Sequence, residues 1–492
     1  MEKLTDEQQE VFEALKSGRN IFLTGNAGTG KSYVLDRYID YLYKNKVPHI
    51  ALAPTGVAAL NLLGGSTIHR TLSLPIGFLD PYEELKNPPK VLNASRVIII
   101  DEISMCRIDQ FERIMRMIRK SEEKSAKKQI VLVGDFFQLP PVVTSDDERL
   151  LMQFYPGNTG GWCFKSVFWK GFDFKPYVLK EVVRQNDREF IENLNLARNG
   201  DESCISYFNK RAVSNRKQVK NTDETIFLCN TNKLARSINE EEMAKLKTPI
   251  STFYGETVGK VGKGDKPAEE ELSLCVGAKV MTLVNDQHGR YVNGSQGIIT
   301  DIDEEEEQVT VRFNDTGKKV VVEKHEWDVL KSKAVETVGK NGKKKFVVEN
   351  EIIGSYTQLP LKLAYAITIH KSQGLTFTKC ALHTNTFSAG QLYVGLSRCS
   401  SIEGLTLFPP IEDSRLQASM DVVEFYKSLE EEMEEASVNC PKKFVPQVTD
   451  FIKQLQGIEE GGYTTLECPR ELVSHIMGYI EFLQSCPRGH GN

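Results

Sequence analysis

The chain has 492 residues, of which 40% are hydrophobic and 26% charged, a composition typical of a globular protein with several cores. The net charge is −5, from 62 Lys and Arg against 67 Asp and Glu, which excludes a uniformly basic protein that coats nucleic acid. Any contact with a polyanion must therefore come from a local basic groove. No apolar run approaches the ~18 residues of a membrane span. The charged segment Met1–Glu10 is unlike a secretory signal. The ten cysteines lack zinc-site spacing, which indicates reduced thiols.

Residues 1–180 alternate short apolar runs with amphipathic segments. The runs predict strands that are buried on both faces of a parallel sheet. They are Asn20–Thr24, His49–Ala53, Val97–Ile100 and Ile130–Val133. Helical periodicity falls on Ser32–Tyr43 and Asp109–Lys120. Because strands that alternate with helices need crossover connections, this part is predicted to be an α/β domain.

A second α/β unit is predicted from residues 181–273 and 361–412. Its predicted strands are Ile226–Cys229, Lys362–Ile369 and Cys380–His383, and Leu392–Ser397 is a predicted helix.

Residues 274–360, which lie between the two parts of this unit, are rich in short β-like runs and turn pairs such as Asn293-Gly294. The runs are Val276–Val284, Gln296–Asp301, Gln308–Phe313 and Lys319–Val322. They predict a small antiparallel barrel inserted into the second unit. Charged hairpin tips are expected at Asp301–Glu307 and Lys340–Lys345.

Residues 413–492 are predicted to form a helical extension. Apolar residues recur at helical spacing around Val448–Leu455 and Leu472–Ile480. We expect these residues to form an accessory element that is not part of the catalytic core. The alternative is that they simply pack on the second α/β unit.

A nucleotide site is predicted where the first strand meets the first long helix. The segment Gly25-Asn26-Ala27-Gly28-Thr29-Gly30-Lys31-Ser32 matches G-x-x-x-x-G-K-[ST] in the strand-to-helix context that this motif requires. Backbone N–H groups of such a loop and the helix N-terminus bind phosphates. Lys31 would contact the β- and γ-phosphates, and Ser32 would ligate Mg²⁺. The other expected nucleotide contacts are Gly25, Ala27, Gly28, Thr29 and Gly30.

Acidic residues follow the third predicted strand. Asp101 and Glu102 would stand at the carboxyl edge of the sheet, where Asp101 can hold the Mg²⁺ shell and Glu102 can act as general base. Gln138 follows the next strand, and its amide can sense the γ-phosphate. The stiff Pro140-Pro141 pair then ends that segment.

These segments and others resemble the motifs of superfamily-one DNA helicases, specifically of the Pif (petite integration frequency) family and its RecD-like relatives. The resemblance covers about residues 4–410. The matching segments are Leu4–Gln8, Ala53–Ala59, Gly65–His69, Asp101–Pro141, Val182–Gln185, Thr368–Thr376 and Leu392–Arg398. Gly395 stands where alanine is commoner in the family.

The resemblance implies two RecA-like parallel-sheet domains, a small inserted wedge, an inserted β-barrel of the Src-homology-three type and a helical C-terminal extension. It implies that Gln8 reads adenine, that Gly374 contacts nucleotide, and that Arg184 and Arg398 reach the γ-phosphate. Both arginines belong to the second unit, so they can act only when the two units close over ATP.

The resemblance also implies a track for single-stranded DNA, on which polar groups bond phosphates without reading sequence. The residues concerned are Pro54, Thr55, Gly56, Thr67, His69, His370, Lys371 and Ser372. The two histidines also fit core positions, and Phe136, Phe137 and Tyr393 fit either a core or base stacking.

The apolar segment Thr71–Asp80 is broken by Pro75 and Gly77, so it is unlike a long helix or a central strand. By resemblance, residues 71–90 would hold a wedge that separates strands, with Pro75 and Phe78 against DNA. A connecting loop packed on the sheet is the alternative.

The sequence therefore predicts an ATP hydrolase with Mg²⁺ as cofactor, which acts on single-stranded DNA and on single/double-strand junctions, with 5′-to-3′ polarity by resemblance. An oligomeric P-loop protein remodeller and a nucleotide-switched binding module are the alternatives. We expect no membrane partner. A cytoplasmic, nucleoid location follows if the source is bacterial, and nuclear or mitochondrial locations stay open. A monomer is one option, and the physiological DNA structure (forks, G-quadruplexes, RNA–DNA hybrids) is left open.

Overall fold

The computed structural model describes residues 3–438 apart from 76, 86, 184–186, 221, 223, 263–264, 315 and 339–343. The chain divides into two units, Met1–Ser419 and Met420–Asn492. Within the described residues, no helix combines the length and the hydrophobicity that a membrane span needs. The cysteines in this part of the chain are free and buried.

The first sheet is parallel, and its strands are β1 (Ile21–Gly25), β2 (His49–Ala53), β3 (Gly65–Thr67), β4 (Val97–Ile100), β5 (Gln129–Val133) and β6 (Lys175–Leu179), in the order β3-β2-β4-β5-β1-β6. Every strand that the apolar runs predicted in this region is present. The runs missed β3 and β6, which are edge strands with partly exposed side chains. An edge strand does not need a continuous apolar run.

Helices pack around this sheet. They are α1 (Asp6–Lys16), α2 (Lys31–Lys44), α3 (Gly56–Leu60), α4 (Ile68–Leu72), α5 (Lys90–Ala94), α6 (Ile108–Glu122), α7 (Ser145–Phe154) and α8 (Val167–Gly171). The apolar faces of α1 and α2 join the strands in one core, with Val11, Leu15, Leu35 and Ile39 buried. Both predicted amphipathic helices, α2 and α6, are therefore confirmed.

The second α/β part of the chain begins with α9 (Arg188–Asn199), α10 (Ile205–Asn209), β7 (Ile226–Cys229) and α11 (Asn232–Lys245). A β-rich region follows, with β8 (Ile250–Tyr254), β9 (Glu256–Gly259), β10 (Glu271–Cys275), β11 (Lys279–Thr282), β12 (Gln296–Asp303), β13 (Gln308–Phe313), β14 (Lys319–Val322), β15 (His325–Val338), β16 (Lys344–Gln358) and β17 (Leu361–Leu363).

The β-rich region contains an antiparallel sheet in the order β14-β13-β12-β11-β17, as the short apolar runs predicted. Closure of this sheet into a barrel stays a prediction. The long hairpin of β15 and β16 belongs to a separate sheet with β9. Its Leu330 carbonyl accepts hydrogen bonds from Ser66 Oγ (3.1 Å) and Arg70 Nη1 (3.3 Å), so the hairpin reaches the first α/β part of the chain. The tip of the hairpin, predicted at Lys340–Lys345, lies largely outside the described residues.

The chain then returns to the second parallel sheet through β18 (Ala366–Thr368), β19 (Cys380–His383), α12 (Gln391–Leu396) and β20 (Leu405–Phe408), with the order β18-β7-β19-β20. One prediction was wrong here. Lys362–Ile369 is not a single strand, because Leu363 pairs with Val280 in the antiparallel sheet and Ala366 pairs with Phe227 in the parallel one. A single apolar run thus serves two sheets.

Threonines cap the turns at the carboxyl ends of strands in both parallel sheets. Thr55 follows β2, Thr67 ends β3, Thr231 follows β7 and Thr368 ends β18, and each hydroxyl accepts a backbone N–H three residues later. Open parallel sheets bind ligands at this edge.

Of the predicted helical extension, the structure describes α13 (Met420–Val438). The periodic segments around Val448–Leu455 and Leu472–Ile480 lie outside the described residues. The domain limits predicted from the sequence stay predictions.

Candidate active site

The P-loop joins β1 to α2 and is shaped by glycine. Gly30 caps α2 with φ of 81°, in the left-handed region. A Cβ at this position would lie 2.5 Å from Gln8 Nε2, so close packing and backbone conformation both require glycine. Gly28 is also left-handed, with φ of 83°. The loop therefore curls before the helix, as the phosphate-binding motif requires.

Lys31 folds back over this loop. Its Nζ donates to the carbonyl oxygens of Gly25 (2.7 Å) and Asn26 (2.9 Å). Desolvation lowers the pKa of Lys31, and the negative charges of Asp135 and Glu102 oppose that shift. Ser32, the second residue of α2, is exposed beside it.

Asp101 and Glu102 follow β4 at the carboxyl edge of the sheet. Asp101 Oδ1 accepts the N–H of Glu102 at 2.8 Å. Glu102 has φ of 49°, an unfavourable left-handed conformation that costs about 1–3 kcal/mol. Desolvation raises the pKa of Asp101 to about 6 and the pKa of Glu102 to about 8, and the nearby Asp101 charge adds to the shift of Glu102.

Two further charged residues approach the same site and were not predicted. Asp135 is buried after β5, and its Oδ1 forms an ion pair with Arg198 Nη2 at 2.9 Å. The Arg198 guanidinium lies 4.1 Å from the ring centre of Phe137. Gln138 Nε2 donates to Asp135 Oδ2 at 3.4 Å, which ties the expected γ-phosphate sensor to this pair. Asp135 lies within the matching segment Asp101–Pro141, whereas Arg198 belongs to none of the matching segments.

The second sheet contributes to the site through α12. Tyr393 is buried, and its hydroxyl accepts the N–H of Ala27 in the P-loop at 2.9 Å. Gly390 begins the helix at a very close approach, where a Cβ would lie 2.2 Å from the carbonyl oxygen of Gln138. The core assignments for Phe136, Phe137 and Tyr393 therefore hold, and Tyr393 also touches the phosphate loop.

Arg398, which follows α12, is only 2% exposed. Its guanidinium donates to the carbonyl oxygens of Val394 (3.0 Å) and Leu375 (3.3 Å) and to Ser397 Oγ (2.8 Å). The positive charge of Arg398 lowers the pKa of Glu102 and so opposes the increase that desolvation causes. The predicted arginine is thus within electrostatic range of the predicted base.

The other predicted arginine, Arg184, lies outside the described residues. Its neighbour Val183 donates its N–H to the Gly28 carbonyl oxygen at 2.9 Å, so the chain contacts the P-loop at Val183.

Gln373 stands between the two sheets. From the sequence it was noted only as part of the matching segment Thr368–Thr376, without a role. Its Nε2 donates to Glu102 Oε2 at 2.9 Å and to Gln138 Oε1 at 3.3 Å. Gly374 beside it is exposed, with φ of 80°.

Gln8 is 4% exposed and lies against the P-loop. Its Nε2 donates to the Thr29 carbonyl oxygen (3.1 Å), and its Oε1 accepts the Thr5 N–H (3.1 Å) as part of a capping box at α1. In this structure both ends of its amide therefore bond backbone groups.

The expected DNA-contacting residues follow the threonine-capped edges of both sheets. Pro54, Thr55, Gly56, Thr67 and His69 are half-buried, and His370 and Lys371 are exposed. Desolvation lowers the pKa of His69. The expectation for Ser372 is not supported, because its side chain is fully buried and its hydroxyl donates to the Ile369 carbonyl oxygen at 2.7 Å.

The predicted wedge is anchored to the first α/β part at Gly77 and Leu79. Arg107 Nη2 donates to the Gly77 carbonyl oxygen (3.0 Å), and the Leu79 N–H donates to Asp109 Oδ2 (2.8 Å). Phe78 packs against Phe154 with ring centres 5.6 Å apart. The exposed tip is thus at Pro75 and Gly77 rather than at Phe78.

A cavity of about 390 Å³ opens at the carboxyl ends of β7 and β18. It is lined by Asn230, Thr231, Asn232, Thr368, His370, Lys371 and Phe387. Phe387 is 63% exposed, although its ring is large and apolar. This cavity is called the groove from here on, and a separate cavity of about 810 Å³ adjoins it at Asn232, Thr368 and Lys371.

Comparison with known proteins identifies the family. The sequence profile of the PIF1-like helicases matches residues 3–203. The ATP-dependent DNA helicase Pif1 of Campylobacter jejuni is 34% identical over 453 residues, which are 85% of this chain and 96% of the relative.

Solved structures agree with that identification. The crystal structure of Bacteroides sp Pif1 with ADP-AlF4 is similar with a TM-score of 0.75 and 34% identity, over 88% of this chain and 98% of that one. Bacteroides Pif1 bound to single-stranded DNA is similar with a TM-score of 0.62 and 33% identity, over the same shares. Two parallel sheets that face one P-loop are therefore the fold of this family, and the chain is a PIF1-like helicase, an enzyme that hydrolyses ATP.

Proposed function

We propose that this chain unwinds DNA by moving 5′ to 3′ along a single strand, and that ATP hydrolysis at the junction of its two parallel sheets drives the movement. The observation that carries the proposal is that one site holds Lys31, Asp101 and Glu102 from the first sheet and Arg398 from the second. Bacteroides Pif1, a similar protein, is known with single-stranded DNA and with ADP-AlF4. The two alternatives fit less well. An oligomeric remodeller would usually take its arginine from a neighbouring subunit, and a nucleotide-switched binding module would not need the segments Thr368–Thr376 and Leu392–Arg398.

In the proposed hydrolysis, Glu102 takes a proton from water while the water oxygen bonds the γ-phosphorus. The bond from that phosphorus to the bridging oxygen breaks, and ADP leaves with the electron pair. A pKa of about 8 suits this role, because a general base works best when its pKa is near the working pH. Lys31 and Arg398 stabilise the charge that develops on the phosphoryl oxygens.

Ser32 and Asp101 fit a magnesium ion, since a hydroxyl and a carboxylate are the oxygen ligands that this metal prefers. They lie at the start of α2 and at the end of β4, and Asp101 is buried with one oxygen bonded to the Glu102 N–H. When bound, the ion neutralises phosphate charge.

The groove beside β7 and β18 is the proposed strand site in the second sheet. Lys371 supplies a positive charge for phosphate, Asn230 and Asn232 supply amides, and Phe387 offers a ring on which a base can stack. Phosphate contacts make such binding tolerant of sequence and sensitive to salt.

The direct test compares ATP hydrolysis with and without single-stranded DNA. We expect strong stimulation of the wild-type rate, and preferred unwinding of a duplex with a 5′ tail over one with a 3′ tail. Glu102→Gln should still bind ATP while its kcat falls by roughly 10²–10⁴-fold. Lys31→Ala is the matched variant that should lose nucleotide binding as well. An ATPase indifferent to DNA would contradict the proposal.

Stability should depend on pH through Glu102. Because its folded-state pKa of about 8 lies above its ordinary value, the folded protein holds a proton that the unfolded chain releases near pH 4.5. The stability that this bound proton contributes is complete below about pH 4.5 and is lost as the pH rises towards 8. Glu102→Gln cannot ionise, so its Tm relative to wild type should increase between pH 5 and pH 8.5.

The measurement is differential scanning calorimetry across this pH range. Glu148→Gln, which alters an exposed carboxylate on α7, is the control. A constant Tm difference between Glu102→Gln and wild type would show that Glu102 ionises normally.

Phe387→Ala should weaken binding of a single-stranded oligonucleotide about 5- to 100-fold, since stacking on an aromatic ring is worth ~1–3 kcal/mol per base. Fluorescence anisotropy with a labelled oligonucleotide measures the change. Tyr43→Ala removes a comparably exposed ring at the far end of α2 and should leave the affinity unchanged. Equal affinities for Phe387→Ala and wild type would remove Phe387 from the strand site.

A further inference from the structure

Gln373 bonds two groups of the first α/β part, namely the proposed base Glu102 and the expected γ-phosphate sensor Gln138. Its side-chain nitrogen donates to Glu102 Oε2 at 2.9 Å and to Gln138 Oε1 at 3.3 Å. Gln373 itself belongs to the second sheet's side of the site, because it follows β18 and the short 3-10 turn His370–Ser372. One side chain therefore spans the cleft.

This contact occupies Glu102 Oε2, one of the two oxygens through which the proposed base could take a proton from water. A general base needs a free lone pair that can accept the proton of the attacking water. When Glu102 is ionised, as a general base must be, the donated hydrogen bond stabilises the carboxylate and makes it a weaker base. While Gln373 donates to Glu102 Oε2, that oxygen is engaged, and the carbonyl of Gln138 accepts from the same nitrogen.

The other end of the same turn faces solvent. His370 and Lys371 are exposed and line the groove with Phe387. The backbone N–H of Gln373 donates to the His370 carbonyl oxygen at 3.3 Å, and the Ser372 hydroxyl holds the turn through Ile369. A backbone hydrogen bond within one short turn therefore ties Gln373 to the exposed His370.

We propose that Gln373 is the positioning residue through which single-stranded DNA controls ATP hydrolysis. Without DNA, its amide holds Glu102 and Gln138. A strand that binds His370 and Lys371 shifts the turn, withdraws the amide and releases both groups for the water. The inference rests on the proposed function, since it assigns the coupling between the strand site and the ATP site.

The test measures kcat for ATP with and without a saturating oligonucleotide in Gln373→Ala and Gln373→Met. Neither variant can donate to Glu102, and methionine keeps the length of the side chain. We expect the DNA-free kcat to rise about 10- to 100-fold, the factor that a hydrogen bond to a charged group is worth. KM for ATP, oligonucleotide affinity and the DNA-stimulated kcat should stay near wild type.

Gln153→Ala, at an exposed glutamine on α7, is the matched control. A DNA-free rate that is unchanged or lower in a folded Gln373→Met variant would overturn the inference, because Gln373 would then be inert or would assist the base. That outcome is distinct from failure of the proposed function, in which DNA would not stimulate the wild-type enzyme at all.

Discussion

Hydrogen bonds across the cleft between the two parallel sheets are the constraint on which the rest of this molecule depends. The Tyr393 hydroxyl accepts an N–H of the P-loop, and the Gln373 amide donates to Glu102. Both side chains lie on segments that follow strands of the second sheet, and both bond groups of the first α/β part that belong to the proposed nucleotide site. Neither sheet alone therefore holds all of the proposed catalytic residues, and the proposed hydrolysis requires both sheets.

The cleft also concentrates charge where water is scarce. Desolvation raises the pKa of Glu102 to about 8 and lowers that of Lys31, so both side chains are destabilised in their charged forms. The left-handed backbone at Glu102 adds strain of about 1–3 kcal/mol. Such strain persists only where the surrounding fold determines the conformation, and here the buried strand β4 and the Asp101 carboxylate fix it. Nucleotide and metal would relieve much of this unfavourable charge.

The sequence predicted the buried strands and the P-loop well, because continuous apolar runs and the glycine spacing are local signals. It failed at Lys362–Ile369, where one apolar run divides between two sheets, and pairing partners far along the chain decide the division. Ser372 looked like a surface hydroxyl, but its turn directs it inward. Arg198 and Gln373 could not be assigned from sequence, because their roles follow from distances across the cleft.

The central claim is that nucleotide and DNA rearrange these cross-cleft contacts. A crystal structure of this chain with ADP-AlF4 and a single-stranded oligonucleotide tests it most directly. The account predicts that the Arg398 guanidinium contacts the fluoride and that the distance from Gln373 Nε2 to Glu102 Oε2 exceeds hydrogen-bond range. Arg398 still bonded to the Val394 and Leu375 carbonyl oxygens, with Gln373 still 2.9 Å from Glu102, would contradict it.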